Sequence, residues 1–228
     1  MRNCIFTAII GKHDWLKEPE YITPGWDYIC FTDDPNLKSE HWEVRLIDNP
    51  EDVDSCRLAR RVKHLYYEYV PDYDLTIWAD ACRMIIGDLN KFVKKVLPDD
   101  PEFDFAIAIN PRLDCIYREG AWVVRNGLDG MGVVRAQLDR YRAEGYPPNN
   151  GLVGSAIIVR RMGRKNVEEH FRRIYKEIRR FSKRDQLSYD FILWKYDLVK
   201  VSLFPWKLTT AKFGVFREYL HGLDGGLR

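Results

Sequence analysis

Apolar positions along the chain come in two kinds of run, and their spacing predicts strands alternating with helices. Residues 3–10 are almost continuously apolar with β-branched members, as in a strand buried on both faces. Pro24 and Gly25 mark a turn, and residues 26–32 form a second such run. Residues 41–47 alternate, with Trp42, Val44 and Leu46 on one side. Asp54 or Ser55 supplies an N-cap oxygen for a helix. In that helix Leu58, Val62, Leu65, Tyr66 and Tyr69 recur at helical spacing until Pro71. Arg57, Arg60, Arg61 and His64 fall on a different face of it.

Leu75, Thr76, Ile77 and Trp78 then read as a buried strand that ends at Asp80. Helices follow over 89–97, 131–144, 167–181 and 186–196, and strands over 104–109, 155–161 and 198–203. Residues 146–154, rich in Pro, Asn and Gly, read as a rigid loop. The stretch from 111 to 129 has no clear period, and the tail from 213 reads as loose. This order predicts an α/β domain with a mainly parallel, twisted central sheet flanked by helices. Ligands in such open sheets bind beyond the carboxyl ends of the strands, so residues just past each strand are the candidates for chemistry.

Composition narrows the function classes. A net charge of +2, from 36 basic and 34 acidic residues, argues against a dedicated nucleic-acid binder. The basic runs at 60–64 and 171–184 leave a nucleic-acid acceptor as a lesser alternative, although a solvated helix face explains the second run equally well. The five cysteines form no CxxC pair and predict free thiols in a reducing compartment. The N-terminal run reads as a strand and not as a signal peptide, and no apolar run approaches a membrane span. Together these predict a cytoplasmic protein.

At the strand ends, Asp80 needs a metal, a donor or water if it is buried. Pairing with Arg83, or capping the next turn, is the plain structural alternative. The first predicted strand leaves through Gly11, Lys12, His13 and Asp14, the second through Asp33 and Asp34, and the helix before Asp80 offers Arg57, Arg60 and Lys63. Carboxylates, cations and aromatic rings at one end of a parallel sheet suit a phosphorylated ligand. Neither a Walker-type phosphate loop nor a G-x-G-x-x-G fingerprint is present. No G-x-S-x-G supports a hydrolase.

Seven phrases occur in order: FTAIIGKHDWLKEP, PGWDYICFTDDP, SCRLARRVKHL, PDYDLTIWADACRMI, NPRLDCIYREG, YRAEGYPPNNGLVGSAIIVRR and SKRDQLSYDFILWKY. Together they resemble the glycosyltransferase-like domain of the TOD1/MUCI70 family over residues 5–196. The resemblance implies a GT-A-like single domain, with a nucleotide-binding donor half over 1–100 and an acceptor half with the C-terminal tail over 101–228. It implies transfer of a sugar from a nucleoside-diphosphate donor to a glycan or other hydroxyl acceptor. The alternative is a nucleotide-sugar or glycan binder without turnover.

Carried over residue by residue, the resemblance places Asp80 at the first acidic position of a DxD-type motif that holds a divalent cation, Mn²⁺ or Mg²⁺. Cys82 stands where a second ligand is expected, and Asp88 and His221 are further candidate ligands. Hard cations prefer oxygen donors, so Cys82 is a departure from the pattern. Asp185 and Gln186 are the implied catalytic pair, facing sugar and acceptor. Thr7, Gly11, Arg60, Lys63, Asp80 and Arg83 are the implied donor-binding residues. In the segment 110–120, Asn110 and Leu113 replace polar residues of the family phrase, while Asp114, Cys115 and Tyr117 fit it.

Overall fold

The computed structural model describes residues 2–219. In chain order the elements begin with β1 (Asn3–Ile9), β2 (Trp26–Thr32), β3 (Glu43–Leu46), α1 (Ser55–His64), α2 (Tyr66–Tyr69) and β4 (Leu75–Ala79). They continue with β5 (Arg83–Ile85), α3 (Leu89–Val96), β6 (Phe105–Ile109), α4 (Ile116–Arg125), α5 (Met131–Ala143) and β7 (Val153–Arg161). The chain ends with α6 (Lys165–Arg180), α7 (Gln186–Tyr196), β8 (Val201–Pro205), the 3₁₀ turn Trp206–Thr209 and β9 (Phe216–Glu218).

The apolar runs occupy the middle of a seven-stranded sheet of order β3-β2-β1-β4-β7-β6-β8. Of these strands β7 alone runs against the rest: β1 pairs in parallel with β2 and β4, and β6 with β8, while β7 is antiparallel to both β4 and β6. Side chains alternate across the sheet. Phe6, Trp78 and Ile158 pack on one face beneath α1, α4, α5, α6 and α7. Ile5, Ile77 and Ile157 pack on the other with Leu89 and Phe92 of α3 and Phe216 of β9. This is the mixed α/β layering expected of a GT-A-like fold. The sheet runs unbroken from the first hundred residues into the second, through the β4–β7 pair.

Local signals explain most element ends. The Asp54 side chain accepts the Arg57 N–H at the start of α1, and Asp88 accepts the N–H groups of Asn90 and Lys91 at the start of α3. The first helix stops at His64, and Leu65 breaks it before the single turn of α2. The third strand lies at the sheet edge and leaves Leu46 exposed. The expected loose tail is partly ordered: β9 pairs antiparallel with β5, and Phe216 is fully buried.

One irregularity prepares the site. Ile107 of β6 faces Ile158 of β7, but Ala108 faces Gly154, so Ser155, Ala156 and Ile157 sit outside that ladder. Such a bulge re-aims side chains. Gly154 itself lies under the Trp206 ring, where an added Cβ would come 2.4 Å from Cζ3.

A candidate active site at the strand ends

β4 ends at Ala79, and the next backbone N–H, that of Asp80, donates to the Ala156 carbonyl at 2.9 Å. This fixes the carboxylate beside the bulge. Its Oδ1 accepts from Trp78 Nε1 at 2.8 Å and lies 3.4 Å from Lys63 Nζ and 3.8 Å from an Arg60 Nη. The carbonyl of Asp80 accepts the Arg83 N–H, so the turn is closed by backbone and not by an Asp80–Arg83 ion pair.

Asp185, just before α7, completes the cluster. Its Oδ2 lies 2.8 Å from Lys63 Nζ and accepts the Ser155 hydroxyl at 3.0 Å, and Lys63 in turn donates to Ser155 Oγ at 3.1 Å. Its Oδ1 lies 3.7 Å from Arg60 Nε. The carboxylate does not cap α7. His64 Nε2 faces Oδ2 at 3.5 Å, and the Tyr189 hydroxyl stands 3.3 Å from His64 Nδ1. The spacing of Arg60, Lys63 and His64 on α1 therefore serves this site, with Lys63 and His64 wholly buried.

Two cations thus face two carboxylates. Burial disfavours ionisation of both acids, but Lys63 and Arg60 outweigh it at Asp80 and hold its pKa below the usual value. At Asp185, burial is outweighed by Arg60, Lys63 and His64, and the pKa falls well below the usual range. Burial lowers the Lys63 ammonium, which Asp185 and Asp80 partly offset. Burial takes His64 down to about 3, so the ring is neutral. Burial and Asp185 raise Tyr189 well above its ordinary value, so its hydroxyl stays protonated beside His64 Nδ1. Arg60 and Asp80 are the members that keep some exposure. The Arg60 side chain is 14% exposed, and its buried Nε has no hydrogen-bond partner. Asp80 is 22% exposed, whereas Asp185 is 1% exposed.

The loop after β1 packs beside the end of β2 and the start of α1. Gly11 adopts φ +65° and donates its N–H to both oxygens of Asp33 at 3.0 Å. A Cβ there would lie 2.9 Å from Ser55 Cβ, so the loop after β1 rests on the start of α1. Thr7 is buried within β1 with its Oγ1 lacking a hydrogen-bond partner, and it lies on the Ile5–Ile9 face by strand alternation.

Other expected residues lie elsewhere. Arg83 is buried and committed to the C-terminal segment: it donates to the Thr209 carbonyl, pairs with Glu218 at 3.1 Å and stacks on Trp206. It therefore does not join Asp80. Asp185 is 1% exposed and covered by Arg60 and Lys63. Gln186 accepts from Arg184 at 3.2 Å. Cys82 is buried, Asp88 is occupied as a cap, and His221 lies outside the described residues. Ser155, Trp78 and Tyr189 carry no role in the reading from sequence. Only Ser155 carried a local signal, at the exit of the Gly-rich loop.

Two surface concavities of about 440 and 420 Å³ leave this cluster outside their walls. The first is formed by Tyr117, Arg142, Tyr146, Pro147 and Pro148, the second by residues including Asn3, Leu75 and Arg161. Buried, paired charge at strand ends marks a chemical site more directly than volume does.

A family model described as TOD1/MUCI70, glycosyltransferase-like domain, matches residues 1–211. The chain belongs to this family. No curated protein matches it. In this TOD1/MUCI70 domain the match covers the whole quartet of Arg60, Lys63, Asp80 and Asp185, but ends before β9 and Glu218, the partner of Arg83.

The donor set for a divalent cation is sparse. Among the described residues no group of three or more His, Cys, Asp or Glu side chains surrounds a common point. Asp80 is the one carboxylate of the quartet with appreciable exposure. It fits a cation that takes its remaining ligands from phosphate and water, which is how Mg²⁺ is commonly held.

Proposed function

We propose that this domain is a nucleotide-sugar-dependent glycosyltransferase that moves a sugar from a nucleoside-diphosphate donor to a hydroxyl acceptor. The observation that carries the reading is Arg60. It is a cation held between two carboxylates at the carboxyl ends of parallel strands, with a buried Nε that makes no hydrogen bond. A diphosphate oxygen would meet the part of its side chain that stays exposed, 14% of it. Charge grows on the diphosphate as the sugar bond breaks, and a fixed cation nearby stabilises that charge.

Lys63 lies behind Arg60 and holds Asp80 and Asp185 in place. The Gly11 loop and Thr7 would flank the nucleoside. Asp80 would hold a Mn²⁺ or Mg²⁺ ion brought with the donor, and such an ion would neutralise charge on the leaving group. Gln186 would bind the sugar, and the loop at 146–154 would receive the acceptor, a glycan or, as a lesser alternative, a nucleic acid. No helix among the described residues is long and apolar enough to cross a membrane. Action in the cytoplasm is part of the proposal.

The test is release of nucleoside diphosphate from a panel of UDP-, GDP- and ADP-sugars, with Mn²⁺ and with a chelator. Release that is lost in Arg60→Ala is the expected result. The buried Cys82, in place of a second ligand, favours one other reading, a binder without turnover. That reading would show as donor-induced thermal stabilisation with no release.

A further inference from the structure

The aim of the Asp185 carboxylate depends on how its backbone is held. Asp185 already has helical dihedrals, φ −59° and ψ −31°, and its side chain makes no cap bond to α7. The residues on either side of it therefore set where the carboxylate points. Both flanks are gripped by one amide. Gln137, wholly buried on α5, accepts the Ser182 N–H on Oε1 at 3.3 Å and donates from Nε2 to Ser188 Oγ at 3.1 Å. Ser182 comes three residues before Asp185 and Ser188 three residues after it. The Ser188 N–H closes the turn by donating to the Asp185 carbonyl at 2.9 Å.

The orientation of the amide is determined by its third partner. Tyr141 donates its hydroxyl to Glu177 at 2.8 Å, so its oxygen accepts from Gln137, at 2.7 Å from Nε2. Asp129, just before α5, grips the nearer flank again: its carboxylate accepts the Ser182 hydroxyl at 2.7 Å and the Lys183 N–H at 2.9 Å. A buried amide with its oxygen and its nitrogen both engaged specifies one arrangement of the chain around it. The hydrogen bonds of Gln137 go to the flanks of Asp185 and to Tyr141, not to the quartet itself. We propose that Gln137 is a positioning residue of the transfer reaction. It sets the Asp185 carboxylate, which lies 3.7 Å from Arg60 Nε and 2.8 Å from Lys63 Nζ, and through it the direction in which Arg60 meets the diphosphate. This rests on the glycosyltransferase reading above.

The experiment is a double-mutant cycle on release of nucleoside diphosphate from UDP-glucose, UDP-galactose, UDP-N-acetylglucosamine, UDP-xylose, GDP-mannose and ADP-glucose, with water as acceptor. Gln137→Met keeps the volume and removes all three hydrogen bonds, whereas Ser188→Ala removes one. Each is measured in wild type and in Asp185→Asn, with rates normalised to folded protein. In wild type, Gln137→Met should lower kcat about tenfold and Ser188→Ala about threefold, as small misplacements of a reacting constellation do. The loss should fall on kcat more than on KM, because charge on the diphosphate grows only as the bond breaks. In Asp185→Asn the same substitutions should change kcat by less than about twofold, since the residue they act through is already altered. If Asp185→Asn has no measurable rate, Arg60→Lys is the second background, with the same expectation. If Gln137→Met does not fold, Ser188→Ala decides. Equal fold losses in both backgrounds, or an unchanged kcat in wild type, would make Gln137 purely structural and overturn the proposal while leaving the glycosyltransferase reading intact. No release by wild type from any donor would overturn that reading and this inference with it.

Discussion

Two buried clusters of cationic side chains meet at Lys63 and handle the same electrostatic problem differently. On the strand-end side, Lys63 and Arg60 stand against Asp80 and Asp185, charge for charge. On the far side, Arg160 is wholly buried and donates to the Lys63 carbonyl at 3.0 Å. Its guanidinium lies 4.6 Å from the Tyr66 ring and 4.2 Å from the Phe171 ring, and its Nε and one Nη have no hydrogen-bond partner. His170 is buried nearby between Phe105 and Phe171 with both ring nitrogens unpartnered. Carboxylates hold the first cluster's charge, whereas aromatic faces tolerate the second. Removing a member should therefore cost far more stability on the first side than on the second.

The largest effect is expected at Lys63. Lys63→Met leaves two carboxylates without their shared ammonium and should reduce unfolding free energy by about 3–5 kcal/mol, read from the denaturant midpoint. Adding Asp185→Asn should recover part of that loss. Asp80→Ala comes next. Asp80 is the more exposed acid, so its loss should lower donor turnover by about 10²-fold with a much smaller change in stability. Equal losses of stability in the two variants would break the description of the quartet as a buried anchor with one working edge.

The two buried histidines, one on each side, predict a pH dependence. Burial takes both His64 and His170 to about 3 in the folded protein, against an ordinary value of 6.5. Below pH 6.5 the unfolded chain takes up protons that the folded chain refuses until about pH 3. Stability is thus full above that window and falls through it, by about 1.4 kcal/mol per pH unit for each histidine. His170→Phe should roughly halve this slope in unfolding curves recorded between pH 6 and pH 5. The smallest effect is expected for Arg160→Met. It removes an unpaired buried cation together with one hydrogen bond and its ring contacts, and the midpoint should move by no more than about 1 kcal/mol either way. A loss as large as that of Lys63→Met would show that Arg160 has an acidic partner after all.

Some of this was legible in the sequence for physical reasons. β1, β2, β4 and α7 are long or continuous apolar runs with clear ends, and each is observed within a residue of its expected place. Strands β5 and β9 have three residues each and exist because they pair with one another, a tertiary cause that no local pattern announces. Helix α4 starts at Cys115, which makes no side-chain cap, and carries Gly120 in its middle, so its signal was faint. In the site, Arg60, Lys63, Asp80 and Asp185 stood out from strand ends and from the family phrases. Their division of labour did not. Arg83 looked equivalent to Arg60, because a sequence shows that an arginine follows a strand but not that Glu218 and Trp206 wait for it.

The antiparallel placement of β7 between β4 and β6 has a consequence during synthesis. Every residue of β4 is buried in the finished protein, yet its partner on one side, Val153–Arg161, emerges from the ribosome some eighty residues later. Until then LTIWA is a bare, apolar sheet edge, the kind that recruits other strands. The nascent first half must be shielded over that interval. A fragment ending at residue 100 is expected to aggregate, as sedimentation would show, while the full chain remains dispersed.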